Sequence, residues 1–478
     1  MTPLITASSG GWRRWVVPAV LAAVAAGAGG AAWALDAEPA ASAVDADAAT
    51  TPVLSARRVP EVVATPLAER RLDADLQRWL GSSPPDSCLV VERGGEVVFA
   101  HSPRAPLAGA STQKLLTAAG LLLAHGPDAR LETRAVAAAA PRDGVVAGDL
   151  FVVGGGDAAL GTKGWADNAP MLQEDLIHDV EGLVDAIVDA GITRIEGSVV
   201  GDGGRYDAQR YNPTWPQRYI DQNAVGPVGG LMVNDGFAAF SSSGSLADLA
   251  PAADPAAHAA RVVSDRLAAR GVAVVGEPRG GRAPDGAEEV AWLESPPVSR
   301  LVAEMLTESD NEAAEAALKE IGFAVTGDGS WASGAAALTR LLSDAGITLE
   351  GVDVADGSGL SIENRLTCRI LVDLLTLPEI GPVLQDGLAV AGETGTLAGR
   401  WRGTPVAGRL RAKTGSLRSV TALAGDAQPR SGEKLTFAYV ATVPDPGLID
   451  TDEVDLATLG SILVSYPRDV DLASLGPE

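Results

Sequence analysis

Three short clusters place a hydroxyl, an amine and a carboxamide at spacings that suit acyl transfer. Ser111 and Lys114 stand three apart in Ser111-Thr112-Gln113-Lys114. At a helix start that spacing puts both side chains on one side, so the amine reaches the hydroxyl. An ordinary lysine is protonated near neutral pH and takes no proton. Lys114 becomes a base only if its pKa falls by roughly 3 pH units, on the order of 4 kcal/mol, through desolvation and a neighbouring cation. Lys413, in Lys413-Thr414-Gly415, is the candidate for that cation. The helix N-terminus favours negative charge developing at Ser111.

The remaining motif residues supply the rest of such a site. In Ser309-Asp310-Asn311, Ser309 is a proton relay and Asn311 a carboxamide that holds a substrate amide. Lys413 and Thr414 on a strand edge would bind a peptide's terminal carboxylate, and Gly415 would let substrate approach the backbone. The N–H groups of Ser111 and Ser416 would form an oxyanion hole, each donor worth ~10²–10³ in rate. Singly the motifs are weak, since a Ser-x-x-Lys on a helix is usually a solvated face. All three occur in one order, in a chain of 478 residues with five lysines, so coincidence is the poorer explanation.

Competing chemistries lack their residues. None of the four histidines (His101, His125, His178 and His258) stands beside a plausible nucleophile or in a His-Glu-x-x-His pattern. There is no Gly-x-Ser-x-Gly elbow. Residues 156–163 resemble a phosphate loop, but Thr162 stands where its lysine belongs, so the glycines read as a turn after a strand. No metal and no cofactor is expected.

The elements that must position these residues follow from pattern. Residues 88–91 and 97–100 flank Gly94-Gly95 as a hairpin. A helix runs over 115–125 and stops at Gly126. A strand is expected at 150–153 and helices at 173–189 and 297–321, the latter broken at Ser309-Asp310-Asn311. Helices follow Gly334 and Arg365. Strands at 410–413, 420–425 and 435–443 precede a closing helix at 453–466. This order suits an α+β fold whose first and last strands share one sheet.

The net charge of -25 argues against nucleic acid as a partner. Hydrophobic residues make up 46%, enough for a large core. Arg13 and Arg14 precede an apolar run over 15–35, long enough to cross a bilayer as a helix and oriented to send the downstream chain outside. Ala32-Trp33-Ala34 is also a cleavage-site pattern, so residues 1–35 are a signal peptide or a signal anchor. Residues 36–66 read as a flexible spacer. An oxidising compartment then favours one bridge between Cys88 and Cys368 over two buried thiols.

The three motifs are the elements shared by class A β-lactamases and penicillin-binding proteins. With Gly154-Gly155-Gly156-Asp157, Gly201-Asp202, Val233-Asn234, Asp356-Gly357-Ser358-Gly359-Leu360-Ser361, Asn364-Arg365-Leu366-Thr367 and Gly395-Thr396-Leu397, the chain from about Leu67 resembles the D-alanyl-D-alanine carboxypeptidase/endopeptidase family, peptidase family S13. The resemblance implies a β-lactamase/transpeptidase-like domain, with a central antiparallel sheet and helices, over 67–134 and 291–478. Residues 135–290 would be an insertion of one or two smaller α/β domains. Ser111 would be the nucleophile and Lys114 its base, with Ser309 and Asn311 in proton transfer and positioning and Lys413 on the carboxylate. Peptidoglycan stem peptides would be the substrates and β-lactams the inhibitors. Ile362 stands where the family often has Arg, and Ala158 where it often has Pro. Asp202 reads either as a substrate contact or as a turn residue. A β-lactamase reading lacks a Glu four residues before any of the six asparagines. A wall-binding scaffold without turnover is the non-enzyme alternative.

Overall fold

The computed structural model describes residues 60–168, 178–241, 245–429, 433–443 and 454–467. The segment 1–35, the spacer from 36 to 59 and residues 173–177 of an expected helix lie outside the described residues. The spacer's last part is not a spacer. Helix α1 (Pro60–Leu80) takes in residues 60–66 and buries Ala68, Leu72, Leu76 and Trp79, a stripe at helical spacing.

The hairpin forms as β1 (Asp86–Arg93) and β2 (Glu96–His101), paired antiparallel. Helix α2 (Gln113–His125) is apolar over most of its length apart from Gln113, Lys114 and Thr117, and is correspondingly buried. The chain then leaves this body through β3 (Glu132–Ala137), followed by β4 (Leu150–Val153), β5 (Val199–Asp202), β6 (Arg279–Gly280) and β7 (Glu288–Glu294). These form a mixed sheet in the order β6–β5–β4–β3–β7, with β5 parallel to β4 and β6. Glu132 pairs with Glu294, so the excursion leaves and returns on neighbouring antiparallel strands. Positions 135 and 290 therefore fall inside paired strands, and the seam lies at 132 and 294. Helices α3 (Glu181–Asp189) and α4 (Pro255–Ala269) bury Leu183, Ile187, Val263 and Leu267 with Leu150 and Val152 of that sheet.

Helix α3 starts later than its apolar pattern predicts. His178 and Asp179 pair with Leu160 and Gly161 as short parallel strands, and Asp179 Oδ1 accepts from Glu181 N at 2.9 Å. An acceptor at that position satisfies an otherwise orphaned amide and fixes the start of the helix.

The return leg carries α5 (Val298–Thr307), α6 (Asn311–Thr326), α7 (Trp331–Asp344) and α8 (Cys368–Thr376). The expected break falls between α5 and α6. Helix α7 begins at Trp331, where Ser330 Oγ caps Ser333 N, so Gly334 lies inside it. Strands β8 (Ala389–Val390), β9 (Leu410–Leu417), β10 (Val420–Ala427) and β11 (Leu435–Thr442) follow, and α9 (Leu456–Val464) closes the described chain.

The main sheet runs β8–β9–β10–β11–β1–β2, antiparallel throughout, with Cys88 opposite Val440 and Leu89 opposite Tyr439. Alternate residues divide between two cores. Cys88, Val90, Ala422, Ala424, Ala438 and Val440 face the layer containing α2, α5, α6 and α8. Leu89, Val91, Leu423, Phe437 and Tyr439 face α1 and α9. Because both faces are covered, these strands read in sequence as unbroken apolar runs rather than alternating ones. Cys88 and Cys368 are joined by a disulfide that ties β1 to the first residue of α8.

Candidate active site

Ser111 sits in the short turn Ala110–Thr112 that leads into α2. The turn is tight: Ala110 holds φ at 46°, a region that costs a residue with a side chain. It is pressed from behind by the loop after α7, where a Cβ on Gly359 would stand 1.9 Å from Ala110 O. Only glycine fits there, which is a steric reason for that part of the Asp-Gly-Ser-Gly-Leu-Ser stretch.

Lys114 is fully buried, and its amine has three hydrogen-bonding neighbours. It donates to Asn311 Oδ1 at 2.7 Å and to the Ser358 carbonyl at 2.9 Å, and it stands 3.1 Å from Ser111 Oγ. Two of these are obligate acceptors and the third is a hydroxyl that donates or accepts. A neutral amine keeps two N–H groups on the two carbonyl oxygens, so its lone pair faces Ser111. Burial pulls the Lys114 pKa down from 10.5 to about 8, against Glu315, Asp310, Asp356 and Glu312, which favour the charged form. Lys413 is also fully buried. Burial first, and then the Lys114 charge, hold its pKa well below 10.5. Lys413 is not among the leading influences on Lys114, contrary to expectation; the repulsion is felt at Lys413, and burial is the largest cause for both.

Ser309 lies at the break between α5 and α6 with φ at 65°, a second strained position at the site. Asn311 opens α6; while its Oδ1 takes the lysine, its Nδ2 donates to Ala224 O at 2.6 Å. That contact reaches into the excursion and fixes which way the carboxamide faces. Ser309 and Asn311 also line a cavity of about 240 Å³ beside Asp235, Glu304 and Glu312. Burial pushes those three carboxyls well above their ordinary range.

Lys413, Thr414, Gly415 and Ser416 lie on β9 opposite Ala424, Leu423, Ala422 and Thr421 of β10. On its other side β9 pairs with β8 only at Arg411 and Ala412. Beyond Ala412 that edge has no strand partner among the described residues, as strand-like binding of a peptide requires. Lys413 Nζ donates to Thr414 O at 3.1 Å, and Thr414 Oγ1 to Thr396 Oγ1 at 3.2 Å. The reason for Gly415 differs from the expected one. A Cβ there would stand 2.5 Å from Gly109 O, so the glycine admits the nucleophile turn rather than substrate.

The structure thus joins Ser111, Lys114 and Asn311 by direct contact and couples Lys413 to Lys114 through charge. Sequence reasoning missed a buried cradle beneath them. Glu315 Oε1 accepts from Ser358 N at 2.8 Å, and its Oε2 from Gly357 N at 3.1 Å and Trp331 Nε1 at 2.6 Å. Asp356 takes Gly359 N, Ser361 N, Asn364 Nδ2 and Trp215 Nε1. The available signal was the run of charges at 312, 315, 319 and 320 interrupting an apolar helix.

Other singled-out residues have structural duties. Asp202 commits Oδ1 to Gly204 N and Oδ2 to Ala283 N, both at 2.8 Å, as a turn residue does. Asp157 Oδ2 stands 2.5 Å from His178 Nδ1. Thr162 is held by Asn234 Oδ1 rather than open to a phosphate. Ile362 is 40% exposed. No cluster of three or more His, Cys, Asp or Glu suited to a metal occurs among the described residues.

A family model for the D-Ala-D-Ala carboxypeptidase 3 (S13) family matches residues 89–246 and 243–452. A carboxypeptidase of Mycobacterium tuberculosis is 31% identical over 414 residues, covering 84% of this chain and 83% of that protein. The D-alanyl-D-alanine carboxypeptidase of an Actinomadura species is 29% identical over 421 residues, covering 72% and 75%. Penicillin binding protein 4 from Haemophilus influenzae superposes with a TM-score of 0.64 at 20% identity, covering 81% of this chain and 97% of that one, which shows the fold.

Proposed function

Because the chain belongs to the D-Ala-D-Ala carboxypeptidase 3 (S13) family, we propose that it is a serine D-Ala-D-Ala carboxypeptidase acting on peptidoglycan stem peptides, with Ser111 as nucleophile. The observation that carries this reading is the Lys114 amine, buried, 3.1 Å from Ser111 Oγ and held by two carbonyl oxygens. Neutral Lys114 takes the Ser111 proton as Oγ attacks the carbonyl carbon of the penultimate D-Ala. The oxyanion is met by the N–H groups of Ser111 and Ser416. Collapse breaks the C–N bond, and Ser309 relays a proton from Lys114 to the departing D-Ala amine. Lys413 and Thr414 bind the terminal carboxylate, while Asn311 holds a substrate amide. Water then cleaves the ester with Lys114 again as base. A crosslinked peptide placed in the same site gives endopeptidase action.

β-Lactams inhibit by acylating Ser111, in keeping with a second structure of the Haemophilus influenzae protein that holds a β-lactam. The reaction takes place outside the cytoplasmic membrane. Residues 1–35 carry the chain there and either anchor it or are removed. No helix among the described residues is long and apolar enough to cross a membrane. The test is a fluorescent penicillin on the parent and on Ser111→Ala. A long-lived adduct on the parent alone is expected. A folded parent that takes no label would overturn the reading in favour of a scaffold, and rapid release of the label would favour a β-lactamase.

A further inference from the structure

We propose that Glu315 is the positioning residue for Lys114: its carboxylate holds the Ser358 carbonyl against the amine and supplies the negative charge against which that amine loses its proton. The inference rests on the assignment of Ser111 as nucleophile and Lys114 as base, and deepens it.

The geometry is a chain of contacts with every member buried. Glu315, Ser358 and Lys114 are all 0% exposed. A carboxylate with three N–H donors on its two oxygens is over-determined in position, and two of those donors are the successive amides of Gly357 and Ser358. The backbone they fix presents Ser358 O to Lys114 Nζ at 2.9 Å and Gly357 O to Thr117 Oγ1 at 2.7 Å. Thr117 is one helical turn beyond Lys114 on α2. The loop is thereby pinned from both sides, and the direction of the lysine's lone pair is set by a carbonyl that Glu315 places.

The electrostatic side depends on the groups around the amine. Charged groups reach Lys114 from α6 and its cap (Asp310, Glu312, Glu315), from the loop (Asp356) and from β9 (Lys413). Of the carboxylates, Glu315 has the largest influence on Lys114. Glu315 itself faces Asp356 and, farther along α6, Lys319. Burial, and then Asp356, raise its own pKa to about 7, while the hydrogen bonds from Ser358, Gly357 and Trp331 favour its charged form.

Two substitutions separate position from charge. Glu315→Gln keeps the length and loses the charge; Glu315→Asp keeps the charge and loses a methylene of reach. Acylation by a fluorescent penicillin is followed from pH 5 to 10. For Glu315→Gln the acid limb should move to lower pH by about one unit or more, because the ammonium form has lost its main partner. For Glu315→Asp the limb should stay and the plateau fall by about tenfold or more, since a carbonyl misplaced by an ångström spoils alignment. A merely structural residue would change the plateau in both and move the limb in neither. If Glu315→Gln does not fold, Trp331→Phe replaces it: removing one donor from the carboxylate makes it easier to protonate and should move the limb the same way by less. An unmoved limb in folded Glu315→Gln, or in Trp331→Phe where that replaces it, overturns the inference while labelling of the parent leaves Ser111 and Lys114 standing. A parent that fails to label defeats both.

Discussion

Lys114 Nζ and Asn311 Oδ1 are 2.7 Å apart although 197 positions separate them in sequence. Most of the interval is a detour: the chain runs out through β3, builds a second sheet with a core against it, and returns through β7 beside its point of departure. The contact closes because the excursion also supplies the anchor for the carboxamide, Ala224 O.

Asn311→Ala removes an acceptor from a titrating amine and abandons that anchor. A hydrogen bond to a charged group is worth roughly 1.5–3 kcal/mol, so acylation should slow about 10- to 100-fold. The fold should persist, as Asp310 still caps Ala313 N at 2.8 Å. Stopped-flow acylation with a chromogenic β-lactam, beside a thermal melt, checks both halves. An unchanged acylation rate would show that Asn311 does not orient the base.

The pH profile has a definite sign. Lys114 must be neutral to act, and its pKa is lowered to about 8 chiefly by burial. Acylation should therefore be maximal above that value and fall about tenfold per pH unit below it, as for any essential base. A limb centred near the ordinary carboxylate range would instead assign the base to an acid of the site.

Arg205 and Glu320 join the excursion to α6 by a two-armed ion pair, both contacts at 2.6 Å. Burial alone would raise the Glu320 pKa, but the bonds from Arg205 and His125 outweigh it and hold it below its ordinary value. Arg205→Ala strands a carboxylate with side-chain exposure of 1%, leaving it His125 at 3.1 Å and Tyr206 OH at 3.2 Å. Breaking a buried pair costs about 3–5 kcal/mol, and the remaining partners place this case near 3. Urea unfolding should show that loss, and it should shrink as pH falls and Glu320 takes a proton.

The motif residues and main-sheet strands were legible because each reports a local rule: Ser and Lys three apart on a helix, uninterrupted apolar runs for strands covered on both faces. Helix α1 was not read from the sequence: residues 60–66 have spacer-like composition, and its buried stripe of Ala68, Leu72, Leu76 and Trp79 lies beyond them. Glu315, and the role of Asp356 in its quoted stretch, were not legible for a different reason. Glu315 accepts the amides of Gly357 and Ser358 from 42 and 43 positions away, Asp356 accepts those of Gly359 and Ser361 within its own loop, and no spacing in the sequence announces these bonds. The pattern that marks Glu315, a charge on an apolar helix, is shared with Lys319, whose amine instead donates to Asp207 Oδ1 at 2.6 Å and lies 3.7 Å from the Trp331 ring centroid.

Gly415 offers the sharpest separation of fold from chemistry. Its strand pairing with Ala422 does not need a glycine, but the space its side chain would fill belongs to Gly109 O, two residues before the nucleophile. At 2.5 Å from a backbone atom, a Cβ can be accommodated only if the turn or the strand gives way. β9 is fixed along its whole length to β10, whereas the turn is held by a short loop with Ala110 already strained, so the turn should yield. Gly415→Ala should then displace Ser111 relative to Lys114 and to the Ser416 amide. An offset on the order of 1 Å costs about 10²-fold in rate. Overpacking of this kind costs typically 1–3 kcal/mol, which a melt would register as a modest shift. Penicillin acylation slowed about 10²-fold in a folded variant is the expected result. Normal acylation with lowered stability would mean that the strand moves instead and that the nucleophile turn is the stiffer partner.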